Sequence, residues 1–216
     1  MSDLARAGAS SDLSIGNGLG RREVDAAAPR SKLAPGETFP DQDLTGHDRK
    51  RYRLSDIQAN DPMILILSRG HFCPKDARQH KIMADFYPQI AVAYTKIVTI
   101  STDNIIEANE MRDAAGAQWL FLTDPQRILQ KRLGIQEYTD PHHDPMIPHT
   151  LVLEPSLRIY KVYNGYWFWG RPSPWDLWHD LREVSARIRP DWDITEPALR
   201  ENWQADKSKH WPYVRR

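Results

Sequence analysis

The chain has 216 residues with 29 basic and 29 acidic side chains, and 40% of its residues are apolar. This length suits one domain with extensions or at most two small domains, and the balanced charge excludes a general electrostatic attraction to nucleic acid or membranes. No segment approaches the ~18 apolar residues of a membrane span, and residues 1–30 lack the apolar core of a secretory signal. One cysteine excludes an intrachain disulfide framework and fits a reducing compartment, so we predict a cytoplasmic protein.

The first ordered elements are predicted after a long N-terminal segment. We expect residues 1–33 to be disordered, because they lack an apolar period and are interrupted by glycines. A single domain is predicted at residues 34–190, followed by a C-terminal extension at residues 191–216 that lies across the domain or reaches a neighbouring subunit. Residues 44–52 predict a strand, a turn and a strand, and the apolar run at residues 63–67 is typical of a buried parallel strand.

An amphipathic helix is predicted shortly after the apolar run, from Lys75 to Tyr87. Its core face contains four apolar residues at helical spacing: Ile82, Met83, Phe86 and Ile90. We expect Pro88 to kink or end this helix, which makes Ile90 its least secure core residue.

Strands and helices alternate through the rest of the chain. The predicted elements are a strand at 96–101, a helix from Asp103 to about Ala114 ended by Gly116, a strand at 118–122, a helix from Asp124 to about Leu133, and strands at 149–153 and 158–163. A final helix begins at the N-cap Ser173, with Pro174 and Asp176 in its first turn, and Pro190 stops it. Its apolar stripe consists of Leu177, Trp178, Leu181, Val184 and Ile188. This alternation predicts a three-layer α/β domain.

Cys73 is the only cysteine, and it lies between a predicted strand and the first turn of a predicted helix. Unsatisfied N–H groups and the helix dipole at that position favour thiolate over thiol, which activates a nucleophile. The alternative is a buried structural cysteine. We favour a chemical role, because the flanking Arg69, Gly70 and His71 are polar or flexible rather than typical of a core.

Five segments resemble the peroxiredoxins of the alkyl hydroperoxide reductase/thiol-specific antioxidant (AhpC/TSA) family, within the thioredoxin-like superfamily: residues 35–41, 46–56, 68–74, 100–103 and 150–155. The resemblance covers roughly residues 35–188, and its most specific part is an Arg-Gly-x-x-Cys-Pro segment that ends at Pro74. It implies a thioredoxin-like three-layer sandwich, with a central mixed β-sheet flanked by helices.

The resemblance also implies a chemistry. Cys73 would attack the O–O bond of hydrogen peroxide or an organic peroxide and become a sulfenic acid, which an external thiol of the thioredoxin, glutaredoxin or glutathione type would reduce. Arg69 and His71 would orient the peroxide or stabilise charge. The substrate pocket is expected to contain four further residues: Gly70, Phe72, Pro148 and His149. No cofactor and no metal are expected, and a homodimer is considered as the assembly.

The sequence departs from the family's pattern at several positions. Gly70 stands where well-studied members have Thr or Ser, Ile66 stands where they have Pro, and residues 148–150 lack their second arginine. Pro148 matches a proline that thioredoxin-like proteins usually place after a cis peptide bond. Asp76 replaces the second cysteine of a Cys-x-x-Cys motif, which excludes a self-contained dithiol oxidoreductase, and its charge is expected to oppose a thiolate one turn away.

Two other functions stay open from the residues alone. The first is a non-catalytic binding module that keeps the fold and has lost the chemistry. The second is a copper-handling or other metal site on Cys73 and nearby imidazole and carboxylate groups. Its candidate ligands are His71, Asp140, His142, His143, Asp144 and His149. For residues 137–145 we favour a solvated, proline-stiffened loop, because adjacent histidines cannot easily point at one metal.

An aromatic run at residues 163–172 has two interpretations. It is either an apolar wall for an organic peroxide or a dimer surface, or it is a core strand that ends in a turn at Gly170. A basic cluster at residues 49–53 is interpreted as the solvated face of the first hairpin.

Overall fold

The computed structural model describes residues 33–206, so the predicted disordered segment lies outside the described residues except for Leu33, which is buried. The elements in this range are β1 (Asp43–Gly46), β2 (Arg51–Arg53), α1 (Leu54–Gln58), β3 (Met63–Leu67), α2 (Pro74–Val92), β4 (Lys96–Ser101), α3 (Ile105–Ala115), β5 (Leu120–Thr123), α4 (Ile128–Leu133), β6 (His149–Glu154), β7 (Arg158–Asn164), α5 (Pro174–Ile188) and α6 (Pro197–Ala205). Two short 3-10 helices lie at Phe168–Gly170 and Pro190–Trp192.

The strands form one mixed sheet in the order β2-β1-β5-β4-β3-β6-β7. Strand β3 pairs parallel with β4 and antiparallel with β6, so it lies inside the sheet with a neighbour on each side. All five of its residues are buried, and they alternate between the cores on the two faces, as the continuous apolar run predicts. Helices α1 and α4 contribute to one core and α2, α3 and α5 to the other. The predicted three-layer α/β sandwich of thioredoxin-like type is confirmed.

Helix α2 differs from its prediction at its C-terminal end. It runs through Pro88 to Val92 without ending, and Ile90 is 1% exposed. A proline inside a helix removes one backbone hydrogen bond, but burial of Ile90 and Phe86 against the sheet keeps the last turn in place.

The starts of two other helices were also predicted wrongly. Asn104, not Asp103, caps α3: its side chain accepts from the backbone of Ile106 and Glu107. Helix α4 starts at Ile128, four residues after the predicted start at Asp124, while the Asp124 carboxylate accepts from the first backbone N–H groups of the helix. In both cases the prediction began the helix at an aspartate that follows a strand, whereas the helix begins one or more residues later.

The last helix has the predicted capping box on Ser173 and Asp176. Trp178 is 41% exposed, however, so the prediction that it lies in the buried stripe is wrong. No peptide bond in residues 33–206 is cis, and the expected cis bond before Pro148 is therefore also wrong.

The aromatic run is not a core strand. Strand β7 ends at Asn164, and three of the aromatic side chains that follow are exposed: Tyr166 by 44%, Trp167 by 61% and Trp169 by 80%. The basic cluster is exposed on the first hairpin, as predicted. Within residues 33–206, no helix combines the length and the apolar character that a membrane crossing requires.

The predicted C-terminal extension begins close to the domain. The ring of Trp192 lies 6.1 Å from that of Tyr94, which follows α2. The division into a domain at residues 34–190 and an extension at residues 191–216 stays a prediction.

Candidate active site

The sequence positions Cys73 where a strand gives way to a helix. Strand β3 ends at Leu67, a loop of residues 68–72 follows (the nucleophile loop), and Cys73 is the N-cap of α2. The Cys73 carbonyl accepts from the N–H groups of the first turn, and its own N–H donates to the carbonyl of Gly70 at 3.0 Å. The side chain is 1% exposed. A reactive sulfur here would lie at the positive end of the helix dipole, as predicted, but buried from solvent.

Arg69 is the charged residue that contacts the sulfur. Its Nη1 lies 3.8 Å from Cys73 Sγ, while Nε and Nη2 donate to the two oxygens of Glu137 at 2.7 and 3.3 Å. Nη2 also donates to Asp140 at 3.0 Å. Burial alone lowers the pKa of Arg69, but the bonds to Cys73 and Glu137 outweigh it and raise the pKa. The guanidinium therefore stays charged beside the sulfur.

Glu137 and Asp140 belong to a second loop, at residues 137–145, which we name the facing loop. Phe72 connects the two loops: its ring stacks on His143 at 3.7 Å and lies 5.3 Å from the Arg69 guanidinium. His143 in turn lies 2.9 Å from Asp140. The predicted pocket residue Phe72 therefore packs at the border between the loops.

His71 points to a different partner. Its Nδ1 lies 3.0 Å from Asp103 Oδ1, and its backbone N–H donates to Asp103 Oδ2 at 3.0 Å. The bond to Asp103 raises the pKa of His71. These bonds attach the nucleophile loop to the end of β4 rather than to the sulfur, and a role for His71 in peroxide binding stays a prediction.

Gly70 explains one departure from the family's pattern. Its φ is +126°, and a Cβ there would lie 2.5 Å from Asp103 Oδ1. Neither Thr nor Ser fits this backbone, because L side chains rarely adopt such a φ and the carboxylate occupies the space.

Asp76 is the buried anchor of the nucleophile loop. One of its oxygens accepts from the Ser68 hydroxyl at 2.9 Å and from the N–H groups of Arg69 and Gly70 at 2.7 and 3.3 Å. The other is paired with the guanidinium of Arg171. Because that pairing compensates the carboxylate charge, the expected opposition of Asp76 to a thiolate is offset.

Arg171 was not identified from the sequence. It is buried, donates from Nη1 to Gln79 at 2.5 Å and from Nε to the carbonyl of Gly165 at 3.1 Å. Residues 148–150 lack the second arginine of the family's pattern, and Arg171 supplies an arginine near the site from another position. It binds Asp76 rather than the sulfur. The sequence signal that could have identified Arg171 was a single basic residue between Gly170 and Pro172 in an otherwise aromatic run.

Pro148 directly precedes β6, and His149 is the first residue of that strand. His149 lies opposite Leu67 in the antiparallel pairing of β3 and β6, at the end of β3 from which the nucleophile loop departs. Its Nδ1 lies 2.8 Å from the carbonyl of Ile147, and burial lowers its pKa. The Pro148 carbonyl accepts from the N–H of Gly165 at 2.8 Å, which attaches the start of β6 to the aromatic run at residues 163–172. A place for Pro148 and His149 in the wall of the substrate pocket stays a prediction.

The aromatic segment borders the site from outside. Lys75, in the first turn of α2, donates to the carbonyl of Tyr166 at 3.0 Å. The Tyr166 hydroxyl lies 3.1 Å from Thr139 Oγ1 in the facing loop. The helix of Cys73, the aromatic run, the facing loop and the nucleophile loop thus form a closed ring of contacts.

The structure does not bring together the ligands of the copper-handling alternative. In residues 33–206, one group of three candidate ligands has its donor atoms within 4.8 Å of one another, and it consists of His71, Asp103 and Glu107. Neither Cys73 nor a histidine of the facing loop belongs to this group.

Comparison with known proteins places the fold and site in a family. The model of the AhpC/TSA family matches residues 35–162, more than half of the chain. The curated peroxiredoxin bcp1 of Schizosaccharomyces pombe is 26% identical over 107 residues, which are 50% of this chain and 55% of that protein. The chain thus matches about half the length of this relative.

Solved structures show the same fold at low identity. Peroxidoxin BcpB of Mycobacterium tuberculosis is 18% identical with a TM-score of 0.58, over 73% of this chain and 97% of that one. AhpC of Enterococcus faecalis is 16% identical with a TM-score of 0.61, over 76% and 98%. With the family model matched across the nucleophile loop, the facing loop and both adjoining strands, the chain belongs to the AhpC/TSA family.

Proposed function

We propose that this protein is a thiol-dependent peroxidase that reduces hydrogen or organic peroxides through Cys73. One observation carries the proposal: the sulfur lies at the N-terminus of α2 with Nη1 of a charged arginine 3.8 Å away. A positive charge at that distance stabilises a thiolate and can donate to an oxygen of a peroxide placed beside the sulfur.

The reaction balances with these groups. The Cys73 thiolate attacks one peroxide oxygen, the O–O bond breaks, and an S–O bond forms while the sulfur is oxidised and the peroxide reduced. The leaving hydroxide or alkoxide takes a proton from solvent, which replaces the proton that the Cys73 thiol released, and departs as water or an alcohol. A first external thiol then displaces water from the sulfenic acid and forms a mixed disulfide, which a second thiol reduces to restore Cys73. Because the chain has one cysteine, both reducing thiols come from other molecules.

The remaining roles are parts of the same proposal. Arg69 orients the peroxide, His71 supports the loop that carries Arg69, and Gly70, Phe72, Pro148 and His149 shape the space around the sulfur. The reductant is a thiol of the thioredoxin, glutaredoxin or glutathione type, the protein acts in the cytoplasm, and a homodimer is the proposed assembly. These points rest on the family and on the single cysteine.

The test is oxidation with one equivalent of hydrogen peroxide in the presence of a sulfenic-acid trap, followed by mass spectrometry. We expect the trapped mass on Cys73 alone, and no trapping in Cys73→Ser. Reaction no faster than that of a free thiol in the same buffer would contradict the proposal.

The second candidate is the non-catalytic binding module. It is favoured by one observation, the 1% exposure of Cys73, because a buried free cysteine is usually inert. An unmodified Cys73 after prolonged peroxide exposure of folded protein would support this candidate.

A further inference from the structure

Glu137 is a buried carboxylate in the facing loop that no sequence motif marks. Its side chain is 3% exposed, and its backbone N–H donates to the carbonyl of Pro145 at 3.0 Å, which closes the loop at its base. The Thr139 hydroxyl donates to Oε1, the oxygen that also accepts from Arg69 Nη2. Glu137 is therefore held from its own loop while it binds the arginine of the other.

The geometry of that contact fixes a direction. A guanidinium is planar, and its donors lie in a rigid fork, so occupying one edge sets where the remaining nitrogen points. Glu137 occupies the edge formed by Nε and Nη2 of Arg69, and Nη1 is the nitrogen that faces Cys73 Sγ. Asp140 contacts Nη2 only and is more exposed, so it adds charge without fixing the fork.

We propose that Glu137 is a positioning residue that acts through Arg69, holding Nη1 toward the sulfur. This inference rests on the proposed function of Cys73 and Arg69. It has a definite sign, because the charge of Glu137 acting alone would oppose a thiolate, whereas its effect through Arg69 favours one. Removing the carboxylate therefore distinguishes the two effects.

The experiment measures alkylation of Cys73 by iodoacetamide from pH 6 to pH 9.5, in wild type, Glu137→Gln and Glu137→Ala. The rate at pH 6 is divided by the rate at pH 9.5, because opening of the loop changes both rates and cancels in the ratio. We expect this ratio to fall about tenfold in Glu137→Ala, the scale of losing a nearby opposite charge. Glu137→Gln, which keeps an acceptor for Nε, is expected to lie between Glu137→Ala and wild type.

Glu201→Ala is the matched control, because Glu201 is an exposed glutamate in α6 and its removal leaves the ratio unchanged. A ratio that rises or stays the same in Glu137→Ala would overturn the inference. If Glu137→Ala does not fold, Thr139→Val removes one restraint on the carboxylate and is expected to lower the ratio about twofold to threefold. Alkylation needs no peroxide, so wild-type protein that fails to react with peroxide contradicts the proposed function and leaves this test intact.

Discussion

The nucleophile loop and the facing loop meet at Cys73 but are held by different kinds of contact. Backbone N–H groups of the nucleophile loop donate to two buried carboxylates, Asp76 and Asp103, which come from neighbouring elements of the sheet and helix layers. The facing loop is joined to it through side chains, by the bonds from Arg69 and the stacking of His143 on Phe72. One loop is therefore part of the scaffold, and the other can change its residues with less cost to the fold.

The comparison makes Asp76 the most costly residue to change. In Asp76→Asn, Arg171 keeps its buried charge without a counter-charge, and the free energy of unfolding is expected to fall by about 3–5 kcal/mol. Urea unfolding followed by circular dichroism measures this loss. Asp85→Asn, at an exposed position on the same helix, is the control and is expected to change it by about 0.5 kcal/mol or less. A loss below about 1 kcal/mol in Asp76→Asn would show that this buried carboxylate does not hold the nucleophile loop to the scaffold.

The helix and sheet layers that hold the nucleophile loop are also expected to lose stability in acid, because of His80. His80 is buried in α2, between the carbonyl of Asp76 and the hydroxyl of Thr99, and burial lowers its pKa to about 4. The unfolded chain, with an ordinary histidine pKa near 6.5, binds the proton first, so this stability is present above pH 6.5 and is lost as the pH falls to 4. The loss is expected to reach about 3 kcal/mol.

The matching variant for this pH dependence is His80→Gln, which has no titrating ring. Its unfolding free energy is expected to be lower than that of wild type at pH 7 and to change less between pH 7 and pH 4.5. Equal slopes in the two proteins would show that His80 does not cause the acid loss.

Gly70→Ala tests whether the nucleophile loop is fixed in shape as well as in position. Gly134→Ala is the control, because Gly134 also has a positive φ but open space around its Cα. Gly134→Ala carries the backbone strain of a left-handed residue, about 1–2 kcal/mol, whereas Gly70→Ala combines a still less common φ of +126° with a methyl group placed against Asp103. We expect an additional loss of about 2 kcal/mol at Gly70 in thermal or urea unfolding. Equal losses would mean that the loop moves away from Asp103 easily.

The smallest effect is expected in the facing loop. His143→Ala removes the stacking on Phe72 and the bond to Asp140, and should reduce stability by about 1 kcal/mol or less. A double-mutant cycle with Phe72→Leu measures the coupling between the two rings. Coupling above about 2 kcal/mol would place the facing loop in the scaffold as well.

The fold and the position of Cys73 could be predicted because their signals are local. The apolar run of β3 and the capping box at Ser173 each lie within a few residues of the element that they mark. The partners of the site could not be predicted in this way. Glu137 lies 68 residues from Arg69, and nothing in either local sequence specifies the other.

Two other sequence signals each fit two different structures. An aromatic run is typical of a buried strand and equally of an exposed surface, and the sequence left both interpretations open; Tyr166, Trp167 and Trp169 are exposed. Trp178 has the spacing of the buried residues of α5, yet it lies at the edge of the stripe and contacts Phe86 with its ring partly in solvent. Periodicity identifies a face and leaves its width open.

Because Cys73 is almost completely buried, its reaction rate with thiol reagents reports how often the covering loops open. A reagent reaches the sulfur only when the covering loops separate, so the reaction rate is the product of an opening equilibrium and the reactivity of the open form. Thiol reagents of increasing size require increasingly wide openings. Their relative rates therefore rank the openings of this protein by free energy, with one natural cysteine as the reporter and no label attached.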